Sequence, residues 1–184
     1  MTLEKLSKTD LIHRLKTVEL LCIDADGTLT DGGMYVKEDG SAIRRFYAHD
    51  GTGIQMVKNV GVKVAIITTS VSEIMKHRGK MLSLEDVIVG SHEKGKEVLA
   101  LAKKLNINLQ NVVYIGDDVN DILAFKEVGL PIAVSNSSEA VFEFTCYTTT
   151  KEGGKGAVRE ICDLILLAKT GKLYGLPYFD HFIQ

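Results

Sequence analysis

Five short apolar runs, separated by segments of helical periodicity, constrain the fold of this sequence more than any other feature. They are Leu20–Ile23, Val62–Ile67, Asp86–Val89, Val112–Ile115 and Ile132–Val134. Each is nearly continuous in apolar residues rather than alternating, which is the pattern of strands covered on both faces. Gly53–Asn59 places Ile54 and Val57 at helical spacing, and Ser72–Leu82 opens on a serine suited to capping. Lys94–Leu105 repeats Val98, Leu101, Ala102 and Leu105, and Asn120–Val128 groups Ile122, Leu123 and Phe125 ahead of Gly129. Gly156–Leu167 repeats Val158, Ile161, Cys162 and Ile165. Strands alternating with helices predict an α/β fold with a doubly wound, Rossmann-like parallel sheet.

A chain of 184 residues fits one domain, and at that length a core forms without disulfide or metal staples. Cys22, Cys146 and Cys162 form no C-x-x-C pair, so they are expected as buried thiols in a reducing, cytoplasmic setting. With 22 Lys+Arg against 24 Asp+Glu, no basic excess marks a nucleic-acid partner. No apolar run reaches membrane-spanning length, and Met1–Thr9 has no signal-peptide core. One segment interrupts the alternation. Met34–Lys37, Glu38-Asp39-Gly40 and Ile43–Phe46 read as a β-hairpin, an insert over 34–46 at the carboxyl edge of the sheet.

The chemistry is concentrated at two strand ends. Asp24-Ala25-Asp26-Gly27-Thr28-Leu29-Thr30-Asp31-Gly32 follows the first strand, and Gly116-Asp117-Asp118-Val119-Asn120-Asp121 follows the fourth. If those strands are neighbours, several carboxylates meet in a small volume and repel one another unless a cation intervenes. An all-oxygen set without His or Cys points to Mg2+ rather than zinc. Thr68 ends the second strand with a hydroxyl that can donate to an anionic oxygen. Lys94 opens a helix with a compact positive charge suited to phosphate.

Asp24-Ala25-Asp26-Gly27-Thr28, Thr68, Lys94 and Gly116-Asp117-Asp118-x-x-Asp121 together resemble the four motifs of the haloacid dehalogenase superfamily of aspartate-nucleophile phosphatases. The resemblance runs from about Val18 to Leu167. Leu29–Gly32, the hairpin, Asp50-Gly51-x-Gly53-Ile54 and Gly153-Gly154-x-Gly156-Ala157 are similar to the capless subfamily, which hydrolyses 8- or 9-phosphate esters of eight- and nine-carbon sugar acids. That likeness implies a haloacid dehalogenase-type fold with no cap domain and a magnesium-dependent, homotetrameric phosphatase acting on a small phosphorylated sugar acid. The expected substrate is 3-deoxy-D-manno-octulosonate 8-phosphate. A nonulosonate 9-phosphate and an idle, regulatory phosphatase-like module are the alternatives.

The resemblance also implies roles. Asp24 is the nucleophile, Asp26 the general acid and base, and Thr68 and Lys94 the phosphate ligands. The metal would be held by Asp24, Asp117 and the backbone carbonyl of Asp26, with Asp118 and Asp121 behind them. Lys96 is a rival to Lys94, and His92 is expected in solvent. Arg78, on the helix after Thr68, is expected to help position substrate. Thr69-Ser70 and His49 depart from the subfamily pattern at positions expected to face the sugar or a neighbouring subunit. The aromatic tail over 170–184 is expected to cover apolar surface, as an arm over a neighbouring subunit's site.

Overall fold

The structure is a computed structural model that describes residues 3–172. The C-terminal arm expected over 170–184 therefore lies almost wholly outside the described residues. In chain order the main elements are α1 (Lys8–Leu15), β1 (Leu20–Ile23), β2 (Tyr35–Val36), β3 (Ala42–Ile43), α2 (Ala48–Asn59), β4 (Lys63–Ile67) and α3 (Glu73–Met81). There follow β5 (Asp86–Ile88), α4 (Lys94–Leu105), β6 (Val112–Gly116), α5 (Ile122–Phe125), β7 (Leu130–Ala133), β8 (Tyr147–Thr148) and α6 (Ala157–Thr170).

Six strands form one parallel sheet in the order β5-β4-β1-β6-β7-β8. β1 is central, and alternate residues of its apolar run serve two cores. Leu21 and Ile23 face a cluster with Leu11 and Leu15 of α1, Ile54 of α2, Met75 of α3 and Ile161 of α6. Leu20 and Cys22 face a second cluster with Val98 of α4 and Phe125 of α5. A strand covered on both faces has no position for a polar residue, which explains its continuous apolar run. All three cysteines are buried and unpaired, as expected.

Differences from the sequence expectations have local causes. Helix α1 was not expected, yet Ser7 caps it by accepting the Asp10 N–H, and Leu11 and Leu15 bury one face at i,i+4. Helix α2 starts at Ala48, well before Gly53, because Gly51 and Gly53 are there for close packing and not as breaks. A Cβ on Gly53 would come 2.9 Å from Cδ of Arg159 on α6, and one on Gly51 2.7 Å from Nη2 of Arg78. Helix α5 is shorter than its apolar pattern, since Val119–Asp121 turn as a single 3-10 turn. Strand β8 is only two residues long and escapes periodicity altogether.

The hairpin forms with its turn at Gly40, whose φ is +80° and whose N–H donates to the Lys37 carbonyl. Its strands pair over two residues each, not four, as Tyr35↔Ile43 and Val36↔Ala42. Past Ile43 the chain leaves the ladder, and its side chains bind the sheet edge instead. Arg44 reaches Asp26, Arg45 reaches Asp31 and the Gly154 carbonyl, and the backbone of Phe46 forms an antiparallel bridge with Thr30. Between Asp31 and Gly51 the described residues hold only this hairpin and the start of α2, and so no cap.

Candidate active site

The register Ile23↔Ile66 on one side of β1 and Ile23↔Ile115 on the other puts three strand ends side by side. Asp24, Thr68 and Asp117 follow those ends. The chain after Asp24 turns sharply through Gly27, at φ +91°. No side chain fits there, because a Cβ would come 2.1 Å from Oδ2 of Asp117. Gly153 and Gly154 press on the same turn from outside. A Cβ on Gly153 would sit 1.7 Å from the Gly27 carbonyl oxygen, and the Gly154 N–H donates to the Thr28 carbonyl at 3.0 Å. Two distant glycine motifs are thus parts of one close backbone contact.

Lys94, at the start of α4, is fully buried. Its Nζ donates to Oδ1 of Asp24 at 2.6 Å, to Oδ1 of Asp121 at 2.6 Å and to Oδ1 of Asn120 at 3.2 Å. Burial opposes the ammonium charge, but Asp24 and Asp121 outweigh it and hold the Lys94 pKa above its ordinary value. Lys96, the rival by sequence, is 73% exposed and pairs with Glu93 at 2.5 Å, which removes it from the site. His92 is exposed, as expected.

Asp121 is saturated. Oδ1 accepts from Lys94 and, at 2.7 Å, from the buried Tyr114 hydroxyl, while Oδ2 accepts the Asp117 and Asp118 N–H groups at 2.9 and 3.2 Å. A carboxylate has about four lone-pair sites, so Asp121 has none left for a cation and acts as the support of Lys94. Asp118 is exposed, and its carboxylate caps the following turn. Tyr114 was not anticipated from sequence. A buried tyrosine in a strand reads as core until its hydroxyl partner is known. Thr28, to which the sequence motif assigns no role, donates to Oδ1 of Asp117 at 3.2 Å.

Asp24, Asp117 and Asp121 bring carboxylate oxygens within 4.8 Å of one another. Burial, and then the Asp121 charge, push Asp24 well up from the ordinary carboxylate range, with Lys94 pulling the other way. Burial and Asp121 likewise push Asp117 up to about 6. One ammonium does not balance three carboxylates. Among the hydrogen bonds of the described residues, Oδ2 of Asp24 and Oδ2 of Asp117 receive no donor. Two such oxygens with surplus negative charge fit a hard divalent cation of the magnesium class.

Thr68 is buried at the end of β4, and its Oγ1 accepts the Ser70 N–H at 3.1 Å, which leaves the hydroxyl proton free to donate. Asp26 is partly exposed at the mouth of the site and is gripped by Arg44. Arg44 is not among the residues expected from sequence, and the available signal was a basic pair, Arg44-Arg45, in the hairpin that follows the Asp-x-Asp turn. Arg78 is placed elsewhere. Its guanidinium lies 5.0 Å over the Phe46 ring and faces Asp50, and it makes no hydrogen bond to the carboxylate cluster. Burial pushes the Asp50 carboxyl up to about 6. His49 is exposed and sets its ring edge-on to Tyr47 at 4.9 Å.

Comparison with known proteins shows the family. Residues 67–161 match the model of the haloacid dehalogenase-like hydrolases. The 3-deoxy-D-manno-octulosonate 8-phosphate phosphatase KdsC of Escherichia coli K12 is 37% identical over 164 residues, covering 89% of this chain and 87% of that protein. The crystal structure of the Moraxella catarrhalis 3-deoxy-D-manno-octulosonate 8-phosphate phosphatase, in complex with magnesium, phosphate and KDO, superposes with a TM-score of 0.85 at 38% identity. The match covers 95% of this chain and 97% of that one. The cobalt-bound deoxy-D-mannose-octulosonate 8-phosphate phosphatase of Haemophilus influenzae gives a TM-score of 0.86 at 32% identity, covering 93% and 99%.

Proposed function

Because this chain belongs to the haloacid dehalogenase-like hydrolases, alongside the 3-deoxy-D-manno-octulosonate 8-phosphate phosphatases, we propose that it hydrolyses that sugar-acid phosphate through an aspartyl-phosphate on Asp24. The convergence of Asp24, Asp117 and Lys94 at the ends of adjacent strands carries this reading. Asp24 attacks phosphorus, the ester oxygen leaves with a proton from Asp26, and Asp26 then takes a proton from the water that cleaves the acyl phosphate. Lys94 and the Thr68 hydroxyl stabilise the charge on the equatorial phosphoryl oxygens. Asp24, Asp117 and the Asp26 backbone carbonyl would hold Mg2+, which when bound supplies charge screening between two anions, the carboxylate and the phosphomonoester. Asp121 and Tyr114 hold Lys94 in register. Arg78 reaches substrate in this reading only through Phe46 and the hairpin base.

The test is a panel of sugar-acid phosphates ranked by kcat/KM in the presence of Mg2+. The 8-phosphate of 3-deoxy-D-manno-octulosonate should lead, and chelation should remove activity. Preference for a nonulosonate 9-phosphate would assign the Thr69-Ser70 difference to specificity and overturn the substrate. Absence of any magnesium-dependent phosphatase activity would favour the idle module.

The chain is further proposed to act as a homotetramer, with the hairpin between subunits. Met34, Tyr35, Val36 and Ile43 are 62%, 63%, 66% and 51% exposed in the single chain, so both faces of an element too small to be stable alone carry uncovered apolar side chains. Light scattering at micromolar concentration should return a mass of four chains, and a fully active monomer would refute the assembly. No helix among the described residues is long and apolar enough to cross a membrane.

A further inference from the structure

The hairpin does more than offer an outer surface, because it delivers a buried guanidinium to the mouth of the site. The Arg44 side chain is 7% exposed and that of Asp26 is 32% exposed. Nε of Arg44 donates to Oδ1 of Asp26 at 2.5 Å, and Nη2 to Oδ2 at 3.4 Å, so the planar fork grips both carboxylate oxygens. Nη2 also lies 3.4 Å from Oγ of Ser70 in the loop after β4, and 3.6 Å from Sδ of Met34 on the opposite arm of the hairpin. One side chain therefore joins the turn after β1, the loop after β4 and both arms of the hairpin.

We propose that Arg44 is a positioning residue for the acid–base step, fixing the Asp26 carboxyl toward the leaving-group oxygen and making its orientation depend on the docked hairpin. This rests on the acid–base reading of Asp26 given above. Asp24 needs no such device, because burial and Lys94 already immobilise it. Asp26 sits on a partly exposed turn, and Arg44 is its only side-chain partner among the described residues. A carboxyl must lie within hydrogen-bond reach of the departing oxygen to transfer a proton, and free rotation about its side-chain torsions dilutes that geometry. The fork uses two of about four lone-pair sites, leaving the others for the proton in transit.

The experiment exploits leaving-group chemistry. A simple alkyl phosphate without a carboxylate leaves as a poor alkoxide and needs the acid, whereas p-nitrophenyl phosphate leaves as a stable phenolate and does not. The constant kcat/KM covers the steps from free enzyme and substrate to leaving-group departure and so excludes the later hydrolysis of the acyl phosphate. Arg44→Ala should lose on the order of 10- to 100-fold in kcat/KM for the alkyl phosphate, within the range of acid–base effects, and less than about 3-fold for the aryl phosphate. Arg44→Lys should fall between, since a point charge cannot hold two oxygens in a plane. Asp26→Asn, measured beside them, should show the same selectivity more strongly.

Equal losses on both esters would make Arg44 merely structural. A loss confined to KM for the sugar-acid phosphate, with the alkyl phosphate spared, would make it a substrate contact. Either result overturns the proposal. If Asp26→Asn itself shows no leaving-group dependence, the acid assignment falls first. If Asp26→Asn shows it and Arg44→Ala does not, Arg44 alone is excluded.

Discussion

Asp24→Asn will leave a folded protein with no measurable turnover, a loss on the order of 10³-fold or more as for other nucleophile deletions. The amide retains an oxygen for Lys94, so the 2.6 Å contact has a replacement and the turn through Gly27 is undisturbed. What disappears is the attacking lone pair. The structure adds a second, less obvious expectation. Burial and the Asp121 charge already work against an ionised Asp24, so a neutral amide relieves repulsion in the pocket. The melting temperature should hold or rise while catalysis vanishes. Intact-mass measurement after exposure to substrate should detect phosphoenzyme in the wild type and none in the variant. Turnover within tenfold of wild type would remove Asp24 from its role.

Lys94→Met should fail in both respects. The substitution keeps most of the volume and removes the charge that joins Asp24 to Asp121, which are 3% and 0% exposed. Breaking a buried pair from one side costs about 3–5 kcal/mol, because the remaining carboxylates are stranded without a counter-charge. For a chain of this size each kcal/mol moves the melting temperature by about 2–4 °C, so the expected fall is roughly 6–20 °C. Phosphatase activity should drop by roughly 10²-fold or more, as for loss of an oxyanion donor. Adding Asp121→Asn to Lys94→Met separates the two effects. The double variant has one stranded charge fewer and should recover part of the stability, with no recovery of activity. If Lys94→Met melts and turns over like the wild type, the buried ammonium has neither function.

These two variants probe the part of the site that was legible in the linear chain. Asp24, Thr68, Lys94 and Asp117 each sit one step beyond an apolar strand or at a helix start, and a parallel sheet gathers such positions at one edge. Lys94 is preferred to Lys96 because it sits at the spacing from Asp117 that the family resemblance implies; in the structure Lys94 is buried and Lys96 exposed. Other parts were not legible, for reasons that differ. Helix α1 rests on a cap and two leucines, too little periodicity to stand out. The early start of α2 was hidden because glycine weakens a helix in isolation, and its compensation lies on α6. Arg78 carries the same charge wherever it points. Only the fold turned it onto Phe46 and Asp50 and away from the carboxylates.

Local composition and order thus determined the parallel sheet, the carboxylate-rich edge and the class of cation it suits, since strand burial and charge repulsion are properties of residue type and spacing. Which oxygen serves which partner was decided in three dimensions. Asp117 and Asp121 are both aspartates on one loop, yet Asp121 is filled by Lys94, Tyr114 and two backbone N–H groups while Asp117 keeps an open oxygen. Arg44 and Arg45 are adjacent, yet one grips Asp26 and the other Asp31. Hydrogen-bond saturation depends on the donors that distant segments bring within about 3 Å, and no local pattern encodes that distance.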